Sequence, residues 1–286
     1  MPGLHAEVQS NKRRSVVLIA AFVVLVVAVG AAFNYLLNGG VIGLVIAFAF
    51  AIGSSFTAYW SSDKVALAMS RARPADPLDY AQLHNLVEGL AIAAGLPKPR
   101  VYIVDDAAPN AFATGRNPEH AAIAVTTGLL EIMNRVELEG VLAHELAHIK
   151  HRDVLLQTVV VVIATAIVES SRIGGYFQRA LLFVLGPLAA AFVHLLLSPR
   201  REFDADRLAA DLCGSPHGLA DALVRLDQAM ELVAFEASPA TEPLYTTNPF
   251  AEEGLAALFN SHPPVGERVR RLRELDPDWR EKLRAA

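Results

Sequence analysis

Two long apolar runs near the N-terminus constrain the architecture of this chain more than any other feature. The first run spans Val16 to Leu37 and the second spans Val41 to Trp60. Only a short turn, Asn38-Gly39-Gly40, separates them. A helix that crosses the hydrocarbon core of a bilayer needs about 20 apolar residues, and both runs reach that length. The sequence therefore predicts an N-terminal tail and a transmembrane helical hairpin within residues 1–62.

Two further apolar runs, Val154–Val168 and Ala180–Leu197, are ambiguous. The first is short for a membrane span, and the second contains a proline and a histidine. They could be two helices buried in a soluble core. We favour a second membrane hairpin within residues 154–198, because the stretch from Val159 to Ile163 has no polar side to present to water.

Basic residues flank all four runs on what would be the same side of a membrane. They are Lys12, Arg13, Arg14, Lys64, Arg71, Arg73, Lys150, Arg152, Arg200 and Arg201. The positive-inside rule makes that side cytoplasmic, although Arg172 and Arg179 fall on the opposite side. The sequence thus predicts a multi-pass protein of the cell (inner) membrane that contacts the lipid bilayer. Its residues 61–153 and both termini would face the cytoplasm.

The composition bears on whether the chain is soluble, binds nucleic acid or forms a disulfide. Hydrophobic residues make up 53% of the 286 residues, which is high for a soluble domain. The formal net charge of −5 offers no reason to expect a nucleic-acid partner. Cys213 is the only cysteine, so an intrachain disulfide is impossible.

The remaining segments have the pattern of a folded domain. Helical spacing of apolar residues predicts helices over Leu78–Ala94 and Glu137–His151. Short β-prone runs cover Arg100–Val104, Asn110–Thr114 and Ala121–Val125. The prediction is a mainly helical α+β domain with a small β-sheet. Its first half would be residues 63–153 and its second half residues 199–286.

The segment His144-Glu145-Leu146-Ala147-His148 matches the pattern H-E-x-x-H. On a helix, residues four apart share a face, so His144 and His148 can bind one cation. Glu145 is rotated off that face and is placed to act as a general base on a water molecule at the metal. These residue types favour Zn²⁺, one ion per chain.

A catalytic zinc needs a third protein ligand, for which Glu202 is the best candidate. Asp206 lies four residues later and could accept a hydrogen bond from the outer nitrogen of a ligand histidine. The same acidic and basic residues would also suit a solvated helix face near a membrane. Spacing alone leaves both interpretations of Glu202 open.

Three motifs together resemble the HtpX-type membrane metallopeptidases, which are gluzincins related to the CAAX prenyl endopeptidases. The motifs are Ala143-His144-Glu145-Leu146-Ala147-His148-Ile149, Glu202-Phe203-Asp204-Ala205-Asp206 and Ser261-His262-Pro263-Pro264. The resemblance covers nearly the whole chain, including both hairpins. It implies a zincin-like catalytic domain in which Glu202 is the third zinc ligand. It also implies proteolytic quality control of membrane proteins, often linked to stress.

The resulting hypothesis is a membrane-bound zinc endopeptidase that hydrolyses peptide bonds with a zinc-activated water and Glu145 as base. Its substrates would be proteins or peptides, membrane proteins among them. One alternative is an inactive membrane scaffold that keeps zinc for structure, but Glu145 and the ligand set are intact. Another is a dedicated maturation protease, whose known relatives usually have more membrane spans.

His262 and Arg268 are candidate donors to the oxyanion that forms during hydrolysis. Members of the resembled family have a histidine and an arginine at this spacing, and both face the active site. The prolines after His262 place it at the end of a loop and Arg268 in the first turns of the last helix. The alternative is a helix cap and a surface charge.

The run that begins with Asn110, Ala111, Phe112 and Ala113 is a candidate substrate-binding strand. Proteases bind extended peptides, and an edge strand supplies main-chain hydrogen bonds to them. The alternative is a central strand with neighbours on both sides.

Overall fold

The computed structural model describes residues 60–155, 199–230, 263–276 and 278, together with isolated positions between residues 8 and 53. The helices of the continuous stretches are α1 (Ser62–Met69), α2 (Ala81–Ala94), α3 (Thr127–Ile132), α4 (Arg135–His151), α5 (Pro199–Cys213), α6 (His217–Met230) and α7 (Val265–Glu274). The strands are β1 (Arg73–Pro74), β2 (Arg100–Val104), β3 (Ala111–Thr114) and β4 (Ala122–Thr126). The prediction of a mostly helical fold with a small sheet is confirmed.

The four apolar runs lie outside the described residues, apart from isolated positions. Within the described part of the chain, no helix combines the length and the apolar character that a membrane span requires. The two membrane hairpins, in residues 1–62 and 154–198, therefore stay predictions.

The four strands form one mixed sheet in the order β1-β2-β4-β3. The central strands β2 and β4 are parallel, with Tyr102 beside Ala124. The other two pairings are antiparallel, and β3 joins β4 with Ala113 beside Ile123. Strand β3 is paired with β4 and comes last in the order of the described strands.

The sheet is buried on both faces, which explains why β4 is a continuous apolar run rather than an alternating one. Ile103, Ile123 and Val125 on one face join the large core formed with α2, α4 and α6. Phe112 and Ala124 on the other face pack against α1.

Helix α4 lies at the centre of the fold and has well-defined ends. Asn134 accepts hydrogen bonds from the backbone of Val136 and Glu137, and the Glu137 carboxylate accepts from the Asn134 N–H. This capping box fixes the start of the helix. Arg152, with φ 57°, ends it in the left-handed conformation. Because α4 packs against α2, α5, α6 and β3, it can bring residues from distant parts of the chain to one site.

The crossing of α4 and α6 is unusually close because both helices carry a glycine there. A Cβ at Gly140 would lie 2.5 Å from the Leu219 nitrogen, and one at Gly218 would lie 2.5 Å from the Val136 oxygen. Any larger residue at either position would push the two helices apart.

Candidate metal centre

The two histidines of the H-E-x-x-H segment project from the same face of α4, as helical spacing requires. Their Nε2 atoms lie 3.1 Å apart, and both side chains are buried. The rings meet edge to face with their centroids 4.6 Å apart. Two imidazole nitrogens this close, pointing to one place, are arranged to share a cation.

Glu202, in α5, supplies the third candidate metal ligand. Its Oε2 lies 3.5 Å from Nε2 of His144, and its Oε1 lies 3.6 Å from Nε2 of His148. A zinc ion bound tetrahedrally at about 2.0–2.2 Å would hold its ligand atoms about 3.3 Å apart. Each histidine Nε2 lies close to that distance from a different oxygen of the Glu202 carboxylate. Glu202 is buried, which excludes the solvated helix face. His144, His148 and Glu202 could therefore hold a metal ion.

Asp206 lies one turn after Glu202 on α5, and its Oδ1 is 3.0 Å from Nδ1 of His144. Burial alone would raise the pKa of Asp206, but the adjacent Arg268 and His144 lower it. The carboxylate therefore stays ionised. It can accept a hydrogen bond from the Nδ1–H of His144, which leaves Nε2 facing the cation position.

Arg268 enters the site from α7 and is only 1% exposed, so it is not a surface charge. Its Nη2 and Nε donate to the two oxygens of Asp206, and Nη2 lies 3.3 Å from Nε2 of His144. Its Nη1 lies 3.8 Å from Oε2 of Glu202. Burial lowers the pKa of Arg268, but Asp206, Glu202 and Glu145 outweigh it and raise that pKa.

The second histidine has its own carboxylate, Asp153, which the sequence did not single out. Oδ2 of Asp153 lies 3.1 Å from Nδ1 of His148 and accepts a hydrogen bond from Nε of Arg201 at 2.9 Å. Burial would raise the pKa of Asp153, but Arg201 and His148 lower it to about 2. The feature of the sequence that could have indicated this role is the position of Asp153, an acidic residue just past the end of α4 and five residues after His148.

Glu145 directly follows the first histidine on α4 and is buried. Together with Asp153, Glu202 and Asp206 it gives the site four buried carboxylates. Two buried guanidinium groups, those of Arg201 and Arg268, oppose them. Among the described residues of the site, buried carboxyl groups thus outnumber buried guanidinium groups, and buried charge of one sign is costly unless it is compensated. A divalent cation would compensate it.

The candidate substrate strand β3 packs against α4, the helix that carries His144 and His148. Asn110 is buried, and its backbone N–H donates to the Thr126 hydroxyl at 2.8 Å. Ala111, Phe112 and Ala113 follow in β3.

His262 lies outside the described residues, three positions before α7 begins.

Comparison with known proteins agrees with this geometry. A model described as "Peptidase family M48" matches residues 77–276. A protease HtpX homolog of Acidiphilium cryptum (strain JF-5) is 46% identical over 282 residues, which cover 93% of this chain and 96% of that protein. A protease HtpX homolog of Pyrococcus furiosus is 42% identical over 279 residues, which cover 92% of this chain and 95% of that protein.

A solved structure shares the fold. The crystal structure of S. mikatae Ste24p superposes with a TM-score of 0.50 at 18% sequence identity, covering 95% of this chain and 67% of that chain. The family match spans both sequence segments that supply the buried His-His-Glu group. The chain therefore belongs to peptidase family M48, among its HtpX-type metalloproteases.

Proposed function

We propose that this chain is a zinc-dependent endopeptidase of the cell membrane, in which His144, His148 and Glu202 bind one zinc ion. The convergence of these three buried side chains carries the proposal, because the two Nε2 atoms lie 3.1 Å apart and lie 3.5 and 3.6 Å from the two oxygens of the Glu202 carboxylate. The excess of buried carboxyl groups over buried guanidinium groups supports a divalent cation.

Zinc, when bound, supplies a Lewis acid that acidifies a water molecule and polarises the scissile carbonyl. Glu145 would accept a proton from the attacking water and deliver it to the leaving amine nitrogen. Its place on α4 directly after His144 supports this role, because it lies beside the ligand face and not on it. Asp206, which faces Nδ1 of His144, would hold the tautomer that leaves Nε2 free to bind the ion.

Arg268 and His262 are proposed to stabilise the oxyanion. The burial of Arg268 beside Glu202 supports its placement, since a cation there would be little screened by water. His262 directly precedes Pro263 and Pro264 in the sequence, and Pro264 is the residue before α7, the helix that carries Arg268.

The proposed substrate strand is β3, with Asn110, Ala111, Phe112 and Ala113 beside the extended peptide. Its packing against α4, the helix that carries His144 and His148, supports this role. Main-chain recognition of this kind would leave side-chain selectivity broad.

We further propose that residues 1–62 and 154–198 form membrane hairpins and that residues 63–153 and 199–286 form one catalytic domain facing the cytoplasm. Six described apolar side chains in the first two runs are more than half exposed, which lipid tolerates and water disfavours. They are Val16, Val17, Val24, Val41, Ile42 and Val45. A domain held at the bilayer surface would meet loops of misfolded membrane proteins, which suits quality control under stress.

The test is proteolysis by the purified full-length protein in detergent. Unfolded casein and a membrane protein should both be cleaved, a chelator should stop cleavage, and added zinc should restore it. A cleavage rate that stays unchanged in the presence of the chelator would overturn the proposal. Bound zinc without any cleavage would indicate the inactive scaffold, and cleavage restricted to a prenylated peptide would indicate a maturation protease.

A further inference from the structure

The two metal-facing histidines are held by carboxylates from different parts of the chain. Nδ1 of His144 faces Asp206 in α5, whereas Nδ1 of His148 faces Asp153, two residues beyond the end of α4. The Asp153 side chain is 1% exposed, so water does not compete for this contact. A carboxylate on one ring nitrogen fixes the tautomer and ring orientation, which directs the other nitrogen toward a cation.

Arg201 holds Asp153 in turn. Its Nε donates to the same oxygen, Oδ2, that faces His148. A buried carboxylate without an opposite charge would be costly, and Arg201 supplies that charge from α5. The preceding residue, Arg200, is 84% exposed and only faces Asp204 at 3.7 Å. Of two consecutive arginines, therefore, only Arg201 is directed into the metal site.

The positions of this pair along the chain add a second feature. Asp153 directly precedes the segment 154–198, and Arg201 lies just after it. The 2.9 Å contact therefore joins the two ends of that segment at the metal-binding helix. At the same corner the buried Asn11 side chain donates to the backbone oxygen of His151 at 3.0 Å. Three separate stretches of chain thus meet beside His148.

We propose that Asp153 and Arg201 are positioning residues that hold His148 in its metal-binding orientation and fasten both ends of residues 154–198 to it. Arg201 acts only through Asp153, because its contact is with the carboxylate and not with the imidazole. The inference rests on the proposed function in that zinc is the ion bound. It assigns a role to two residues that the catalytic chemistry does not otherwise use.

The test is the zinc dissociation constant of the full-length protein in detergent, measured by competition with a chromogenic chelator. Asp153→Asn keeps the size of the side chain and removes its charge. It should raise the constant about 10–100-fold, the usual effect of losing such a partner. Arg200→Met, next to Arg201 but exposed, is the matched control and should leave the constant unchanged. A rise of less than tenfold for Asp153→Asn overturns the proposal.

The double variant separates positioning from simple destabilisation. Arg201→Met should weaken zinc binding, and combining it with Asp153→Asn should weaken binding no further than Asp153→Asn alone. Arg201→Lys, which restores the positive charge, should recover part of the affinity. Additive losses in the double variant would show that Arg201 does not act through Asp153.

Replacing zinc by cobalt(II) reports on the geometry of the ligands, because the visible spectrum of the metal depends on that geometry and not on the overall stability of the protein. The visible absorption spectrum of the cobalt protein should change in Asp153→Asn and stay unchanged in Arg200→Met. An identical spectrum in Asp153→Asn would overturn the proposal even if the variant is less stable. Failure of the wild-type protein to bind zinc would instead contradict the proposed function itself.

Discussion

Arg268 and Asp206, 62 residues apart in the chain, form a buried bidentate pair beside His144. Nη2 of the arginine lies 2.6 Å from Oδ1 and Nε lies 2.9 Å from Oδ2. The same Oδ1 is 3.0 Å from Nδ1 of His144. The pair therefore ties α7, near the C-terminus, to α5 and to the metal-binding helix.

Removing the charge of Arg268 should destabilise the protein. In Arg268→Met the carboxylate of Asp206 stays buried without its partner, which should lower the free energy of unfolding by about 3–5 kcal/mol. Chemical denaturation of the metal-free protein measures this. Arg270→Met, on the exposed side of α7, is the control and should have no measurable effect. Equal stability of the two variants would show that the Asp206–Arg268 pair contributes little.

The sequence predicts the H-E-x-x-H helix well, because helical spacing alone brings His144 and His148 to one face. It leaves Glu202 undecided, because the pattern of residues 200–206 also suits a solvated helix. The packing of α5 against α4 decides this, and no local pattern encodes that packing. Asp153 was missed for the same reason, since its partner Arg201 follows 48 residues later and resembles a membrane-flanking charge.

The small sheet was predictable because its strands are short β-prone runs bounded by turns. The order of the strands was not, since it depends on which runs pair. The structure places Ala111–Thr114 at the end of the sheet. That this run is the edge strand that pairs with a substrate peptide stays a prediction.

Loss of the third ligand should release the metal. Glu202→Gln removes both a ligand oxygen and a buried carboxylate. Mutating a residue that only hydrogen-bonds a ligand lowers metal affinity by up to ~100-fold, so losing the ligand itself should lower zinc affinity by more than that. Metal analysis after dialysis measures this. Asp204→Asn, on the same helix but partly exposed, should retain one zinc per chain. Full zinc occupancy in Glu202→Gln would remove Glu202 from the ligand set.

The close contact of α4 and α6 should not tolerate a methyl group. In Gly140→Ala the new Cβ would meet backbone atoms of Leu219, so we expect a loss of about 1–3 kcal/mol in the free energy of unfolding. Gly89→Ala is the matched control, because the space around its Cβ position in α2 is open. It should be neutral or stabilise the protein by up to about 1 kcal/mol. The reverse order of stabilities would contradict the close packing seen here.

Cys213 should react slowly with alkylating reagents. Burial, and next the Glu139 charge, raise the pKa of the Cys213 thiol to about 11, so the thiol is protonated at neutral pH. Only the thiolate is nucleophilic, and the alkylation rate should therefore rise about tenfold per pH unit between pH 8 and pH 10. Mass spectrometry follows the reaction, with the urea-unfolded protein as control. Equal rates in the folded and unfolded protein at pH 8 would contradict the raised pKa.

The most direct measurement compares zinc content and proteolysis in wild type and Glu145→Gln. The substitution keeps the shape of the side chain and removes its ability to accept a proton. We expect one zinc per chain in both proteins and a loss of at least ~100-fold in cleavage rate in the variant only. Glu131→Gln, an exposed residue of α3, should behave as wild type. A Glu145→Gln protein that still cleaves at the wild-type rate, or that folds but loses its zinc, would contradict the assignment of Glu145 as the base.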